Sequence, residues 1–238
     1  WETKRLEGTR RKKDQEKLAD WQRPARTLSR MTEHERKDKL TELASEYGWD
    51  VAGNFDPRVY RVSTRILPPL VTALLAPHRL PGLVRSPREL FDLGALEGKV
   101  IVEGPVEELR KLAKSGVCVY VPTHASNMDS IVFGYALERA GLPPATYGAG
   151  KNLFTNPVLS FFMHNLGAYR VDRRLRHELY KQVLKTYSCV LLERGYHSLF
   201  FPGGTRSRSG GLERKLKLGL MGTAIEVYAR MLLAGRER

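Results

Sequence analysis

The chain has 238 residues, 42% hydrophobic and 28% charged, with Gly and Pro scattered along it and no internal repeat. This is the composition of a folded globular protein, and it excludes collagen-like and low-complexity chains. A formal net charge of +14 draws the chain toward polyanions, whether nucleic acid, an anionic membrane face or a phosphorylated substrate, without choosing among them.

Residues 1 to about 45 are dense in Lys, Arg and Glu and read as one or two solvated helices, with a specific binding arm as the rarer alternative. The chain opens on Trp1 rather than Met, so its amino terminus is read as trimmed, and no signal-peptide pattern is present. Residues 56–95 carry more Pro and Leu and suggest a helical, partly apolar attachment. Within it, ILPPLVTALLAP (66–77) has three prolines and falls far short of the roughly 20 residues that cross a bilayer. Flanked by Arg65, His78 and Arg79, this stretch suits either a headgroup layer or a buried core.

From about residue 98 strands and helices alternate. VIVEG (100–104) reads as a strand, and Pro105 with Glu107 and Glu108 opens a helix that stops at Gly116. VCVYVP (117–122) reads as a strand buried on both faces, followed by a helix to Gly141. ATYGAG (145–150) follows, then Asn156 and Pro157 start a helix that ends near Gly167, and AYRVD (168–172) is strand-like. HELYKQVLKTYSCVLLERG (177–195) places apolar residues at helical spacing, with Gly195 as its stop, and SLFFP (198–202) is a short buried strand. The expected fold is α/β, a mainly parallel sheet flanked by helices and preceded by a helical N-terminal region. The expected division is 1–95 and 96–238. Cys118 and Cys189 sit in apolar settings, which fits buried thiols in a reducing compartment. Six His form no ligand-spaced cluster with them, so no metal site is expected.

In such a sheet functional residues gather at the carboxyl ends of strands, where HASNMD, GAGKNL and GGTRSRSGG all fall. Ser126 and Asp129 can be a helix-capping pair and His124 a structural histidine. Alternatively Asp129, ionised at a helix N-terminus, orients the His124 ring so that its other nitrogen takes a proton. No GxSxG occurs, so in that case the nucleophile is a hydroxyl on the substrate. In GGTRSRSGG (203–211), Arg206 and Arg208 can grip phosphate oxygens while the glycines admit an anion to the backbone; the other reading is a flexible basic loop.

VPTHASNMDS, YGAGKNL, LGAYRVDRR and FFPGGTRSRSG, in this order over about 115–225, resemble the blocks of the glycerolipid acyltransferases with their HxxxxD motif. They are most similar to those of the bacterial membrane glycerol-3-phosphate acyltransferases. The resemblance implies transfer of a fatty acyl group from acyl-CoA or acyl carrier protein to the sn-1 hydroxyl of glycerol 3-phosphate, the first step of phospholipid synthesis. It requires no cofactor beyond that co-substrate. It implies His124 as general base, Asp129 as its partner, and Arg206 and Arg208 as phosphate ligands, with Lys215 and Lys217 adding to the anion site. Gly150, Asn152, Arg173, Gly204, Thr205 and Ser207 shape the acceptor site. The implied location is the cytoplasmic face of a membrane, with an anionic surface as partner. Gly203 stands where the family often has Glu, and a fourth apolar block with Pro is not found before Arg238, so the chain reads as cut short. Lysophosphatidic acid or dihydroxyacetone phosphate are the rival acceptors. A nucleic-acid-binding module is the rival class, disfavoured because aromatics do not interleave with the basic residues.

Overall fold

The computed structural model describes residues 28–65, 101–126, 129–204, 206–207 and 216–236. Helix α1 spans Glu33–Val51 and begins with a complete capping box. The Thr32 side chain accepts from Glu35 N–H, and the Glu35 carboxylate accepts from Thr32 N–H at 2.7 Å. Residues 57–65 are helical. Then come α2 (Val106–Ser115), β1 (Val119–Tyr120), α3 (Asp129–Arg139), β2 (Ala145–Gly150) and a 3-10 turn over Lys151–Thr155. The order closes with α4 (Pro157–Asn165), β3 (Ala168–Val171), α5 (Glu178–Glu193), β4 (His197–Leu199) and α6 (Met221–Leu233).

The four strands form one sheet in the order β1-β4-β2-β3, and every pairing is parallel. Side-chain alternation sorts the helices to its two faces. Tyr169 and Val171 of β3 pack with Tyr47 and Val51 of α1 and with Tyr180, Leu184 and Tyr187 of α5. Ala149 and Ala168 point the other way, against Met163 of α4, and Ala145 joins α2 and α3 around Leu137. Helix α5 also meets α6 through Cys189, Leu192 and Val227, and there Ser188 and Thr223 share a hydrogen bond of 3.0 Å. The core thus lies on both faces of the sheet, each fully buried side chain such as Val51 contributing about 1.5–3 kcal/mol.

The layered α/β architecture and the preceding helical region agree with the sequence reading; the 95–96 boundary and the 66–77 stretch lie outside the described residues. Two strand assignments are corrected. Residues 101–103 are not in a strand, and Ile101 is 71% exposed, because no strand among the described residues pairs with them. The 117–122 run is not buried on both faces. Only Val119 and Tyr120 pair, at an edge of the sheet, and Val117 and Val121 are exposed. The interior positions belong to β4 and β2. Cys189 is buried, but Cys118 is only half-buried, and both are free thiols. Among the described residues no helix is long and apolar enough to cross a membrane.

Candidate active site

Because all strands run the same way, their carboxyl ends share one rim, and each sequence block leaves it from a different strand. His124 follows β1, and Asp129 opens α3. The two are joined directly. His124 Nδ1 lies 2.8 Å from Asp129 Oδ2, which also accepts the backbone N–H groups of Ala125 at 2.7 Å and Ser126 at 2.8 Å. Partial burial would raise this carboxyl. The backbone bond from Ser126, the His124 ring and the bond from Ala125 together outweigh burial and hold Asp129 below its usual range. An ionised carboxylate only accepts, so in this bond Nδ1 carries the proton. One Asp129 oxygen thus meets both the Ser126 backbone at the helix start and the His124 ring.

The ring is fixed from a second side by Phe201, stacked on it with centroids 4.3 Å apart and planes 27° from parallel. Phe201 leaves the end of β4, and Phe200 N–H donates to Tyr120 O at 2.8 Å, extending the contact with β1. The Gly-rich return is held at its root. Ser207 N–H donates to the His124 carbonyl at 2.7 Å, and Lys217 N–H donates to Pro202 O at 2.7 Å. Gly204 has φ +63°, and a Cβ there would stand 2.7 Å from Lys217 Cδ, so glycine lets the lysine stem lie against the backbone.

These residues face a cleft of about 670 Å³. His124, Gly150, Arg173, Gly204 and Lys217, all expected from sequence, line it. Asp129 stands behind His124. Asn152 is exposed, with its Oδ1 2.7 Å from where a Gly150 Cβ would be. Ser207 joins through its backbone, and Arg206 is exposed and does not line the cleft. Thr205, Arg208 and Lys215 lie outside the described residues. Lys151 of the GAGKNL turn pairs instead with Asp50 of α1 at 2.5 Å.

Of the wall contributed by β3 and α5, Arg173 was expected from sequence and the rest was not. Asp172 is 6% exposed, its N–H donates to Tyr180 Oη at 2.7 Å, and its carboxylate holds the Arg174 fork at 3.0 and 2.8 Å. Burial opposes this charge, but the Arg174 bonds and the nearby Lys151 keep the carboxyl below its usual range. Tyr180, Lys181, Leu184 and Lys185 form one helical face toward the cleft, and the i, i+4 lysines inside an apolar stripe were the available sequence signal. Ser130 also lines the cleft, but its side chain bonds Tyr147. Among the described residues no three side chains converge as metal ligands. The arrangement combines an oriented base, a cationic rim and an apolar interior, which suits removal of a proton from a bound, negatively charged alcohol.

The family model for Acyltransferase matches residues 104–232. The glycerol-3-phosphate acyltransferase of Aeromonas hydrophila subsp. hydrophila is 35% identical over 126 residues, 52% of this chain and 15% of that protein. That of Histophilus somni is 37% identical over 122 residues, 50% of this chain and 15% of its own. The Xanthomonas campestris pv. campestris protein of the same name is 27% identical over 218 residues, 91% of this chain and 22% of its own. The chain therefore spans between 15% and 22% of the length of the curated relatives it matches. Among solved structures, the 1-acyl-sn-glycerophosphate acyltransferase PlsC of Thermotoga maritima aligns with a TM-score of 0.36 at 16% identity. That alignment covers 81% of this chain and 71% of the other, a likeness too low to set residue correspondences.

Proposed function

Since the chain belongs to the Acyltransferase family, we propose that it moves a fatty acyl group from acyl-CoA or acyl carrier protein to the sn-1 hydroxyl of glycerol 3-phosphate. The observation that carries this reading is the His124–Asp129 hydrogen bond of 2.8 Å at the edge of a cleft that also holds Lys217 and Arg173. The names of the three bacterial relatives support the acceptor.

In the proposed reaction His124 Nε2 removes the proton of the sn-1 hydroxyl as its oxygen attacks the thioester carbonyl. The imidazolium formed is stabilised by Asp129. The tetrahedral intermediate collapses with cleavage of the C–S bond, and the thiolate takes the proton back from Nε2. The products are 1-acylglycerol 3-phosphate and the free thiol. Assistance by a positioned base contributes about 10²- to 10⁴-fold. Lys217, with Arg206, Arg208 and Lys215, holds the acceptor phosphate, while Gly150, Asn152, Arg173, Gly204, Thr205 and Ser207 shape the space around it. We place the chain at the cytoplasmic face of an anionic membrane, a setting its net charge of +14 supports.

The test is acyl transfer to radiolabelled glycerol 3-phosphate, with lysophosphatidic acid and dihydroxyacetone phosphate assayed in parallel. His124→Ala lowers turnover by at least about 10²-fold while the melting temperature stays near wild type. Asp129→Asn lowers it by a smaller factor, because the ring loses its orientation but keeps its base. Near-normal turnover by His124→Ala would exclude this mechanism, and faster transfer to either rival acceptor would reassign the substrate.

A further inference from the structure

The cleft holds more positive charge than one phosphate requires. Arg173, Arg176, Lys181, Lys185 and Lys217 line it, against one carboxylate, Asp172, which is already held by Arg174. Lys181 has only a loose, exposed pairing with Glu178 at 3.5 Å, a contact of little energetic weight. A phosphate monoester carries about two negative charges and is satisfied by two or so cationic donors. The remaining cations therefore call for a second anion.

Their placement separates them. Lys217 lies against Gly204 beyond β4, the neighbour of β1, and so stands on His124's side of the cleft. Arg176 precedes α5, and Lys181 and Lys185 lie one turn apart on its cleft face, where α5 packs on β3 through Tyr180 and Leu184. Three strand spacings divide β1 from β3, roughly 14 Å. A three-carbon phosphoester with its hydroxyl at His124 spans on the order of 6 Å and does not reach Lys181 and Lys185 on α5, beyond Arg173. The lining also includes apolar residues, among them Val171, Leu175 and Leu184 on the α5 side and Leu199 at the end of β4.

We propose that Arg176, Lys181 and Lys185 form a second anion subsite, which binds the 4′-phosphate of the pantetheine arm that carries the acyl group. This rests on the acyltransferase reading above. Coenzyme A and acyl carrier protein share that phosphate, and an extended arm runs roughly 15 Å from sulfur to phosphorus, which matches the distance across the sheet. The amide-bearing arm then lies over the apolar floor, with its thioester at the His124 end and its phosphate at α5.

The experiment is titration calorimetry on the full chain with 4′-phosphopantetheine, coenzyme A, unphosphorylated pantetheine and glycerol 3-phosphate. Lys181→Glu/Lys185→Glu binds 4′-phosphopantetheine and coenzyme A about tenfold more weakly than wild type. It binds pantetheine and glycerol 3-phosphate as wild type does, and Lys181→Arg/Lys185→Arg retains all four affinities. Thermal melting checks the fold. If charge reversal prevents folding, Lys181→Gln/Lys185→Gln is read instead, with a smaller loss confined to the same two ligands. The proposal is overturned if wild type does not bind 4′-phosphopantetheine, if pantetheine or glycerol 3-phosphate weakens as much, or if the effect requires the 3′-phosphate of coenzyme A. These are binding measurements, read without turnover. An absence of acyl transfer by the wild-type chain would refute the proposed function without altering their outcome.

Discussion

A buried imidazole that accepts a backbone hydrogen bond resists protonation, and His197 is placed in that way. It is 7% exposed, and its Nδ1 accepts Cys118 N–H at 2.9 Å across the β1–β4 pair. Burial lowers its pKa below the ordinary histidine value, so the unfolded chain binds this proton more readily than the folded one. The stabilising contribution is complete above about pH 6.5 and is lost as pH falls through the folded value. His164 titrates in the same direction, its pKa lowered first by burial and then by Arg170. Melting temperature should therefore decline between about pH 7 and 5, before the carboxylates titrate. His197→Asn, which keeps an acceptor near Nδ1 but cannot be protonated, should flatten that decline. An unchanged slope in the variant would show that His197 is not the responsible group.

At the scale of elements, the sheet and helix α1 are joined at a point with no spare space. Gly53, just past α1, donates its N–H to Tyr187 Oη at 2.9 Å and accepts from the same hydroxyl at 3.2 Å. A Cβ on Gly53 would stand 2.7 Å from the Ala168 carbonyl oxygen, a β3 backbone atom that cannot rotate aside. Gly53→Ala should cost about 1–3 kcal/mol, read as a lower urea midpoint with unchanged slope. A wild-type midpoint would mean that α1 shifts freely on the sheet. Helices were legible in the sequence because their signals are local: His177 caps α5, and Gly195, at φ +86°, ends it. Strands were less legible, since β-branched composition cannot say whether a partner exists. Residues 101–103 and 117–121 share a β-branched texture, yet only Val119 and Tyr120 find a ladder.

For the whole molecule, the surplus of +14 predicts adhesion to negatively charged bilayers. Co-sedimentation should be strong with phosphatidylglycerol vesicles, weak with phosphatidylcholine, and reduced by added salt. Equal binding to both lipids would remove charge as the cause. The candidate site was half legible for a related reason. His124 and Asp129 are five positions apart, so their partnership is visible in one short segment. Lys181 and Lys185 show locally only as an i, i+4 pair on a helix; that they reach the same cleft depends on the chain crossing the sheet and laying α5 over β3. Two backbone bonds, Ser207 N–H to His124 O and Lys217 N–H to Pro202 O, tie these residues to the ends of β1 and β4. Both are main-chain bonds, so exchanging the side chain of Ser207 or Lys217 changes what that residue presents while its backbone tie stays available.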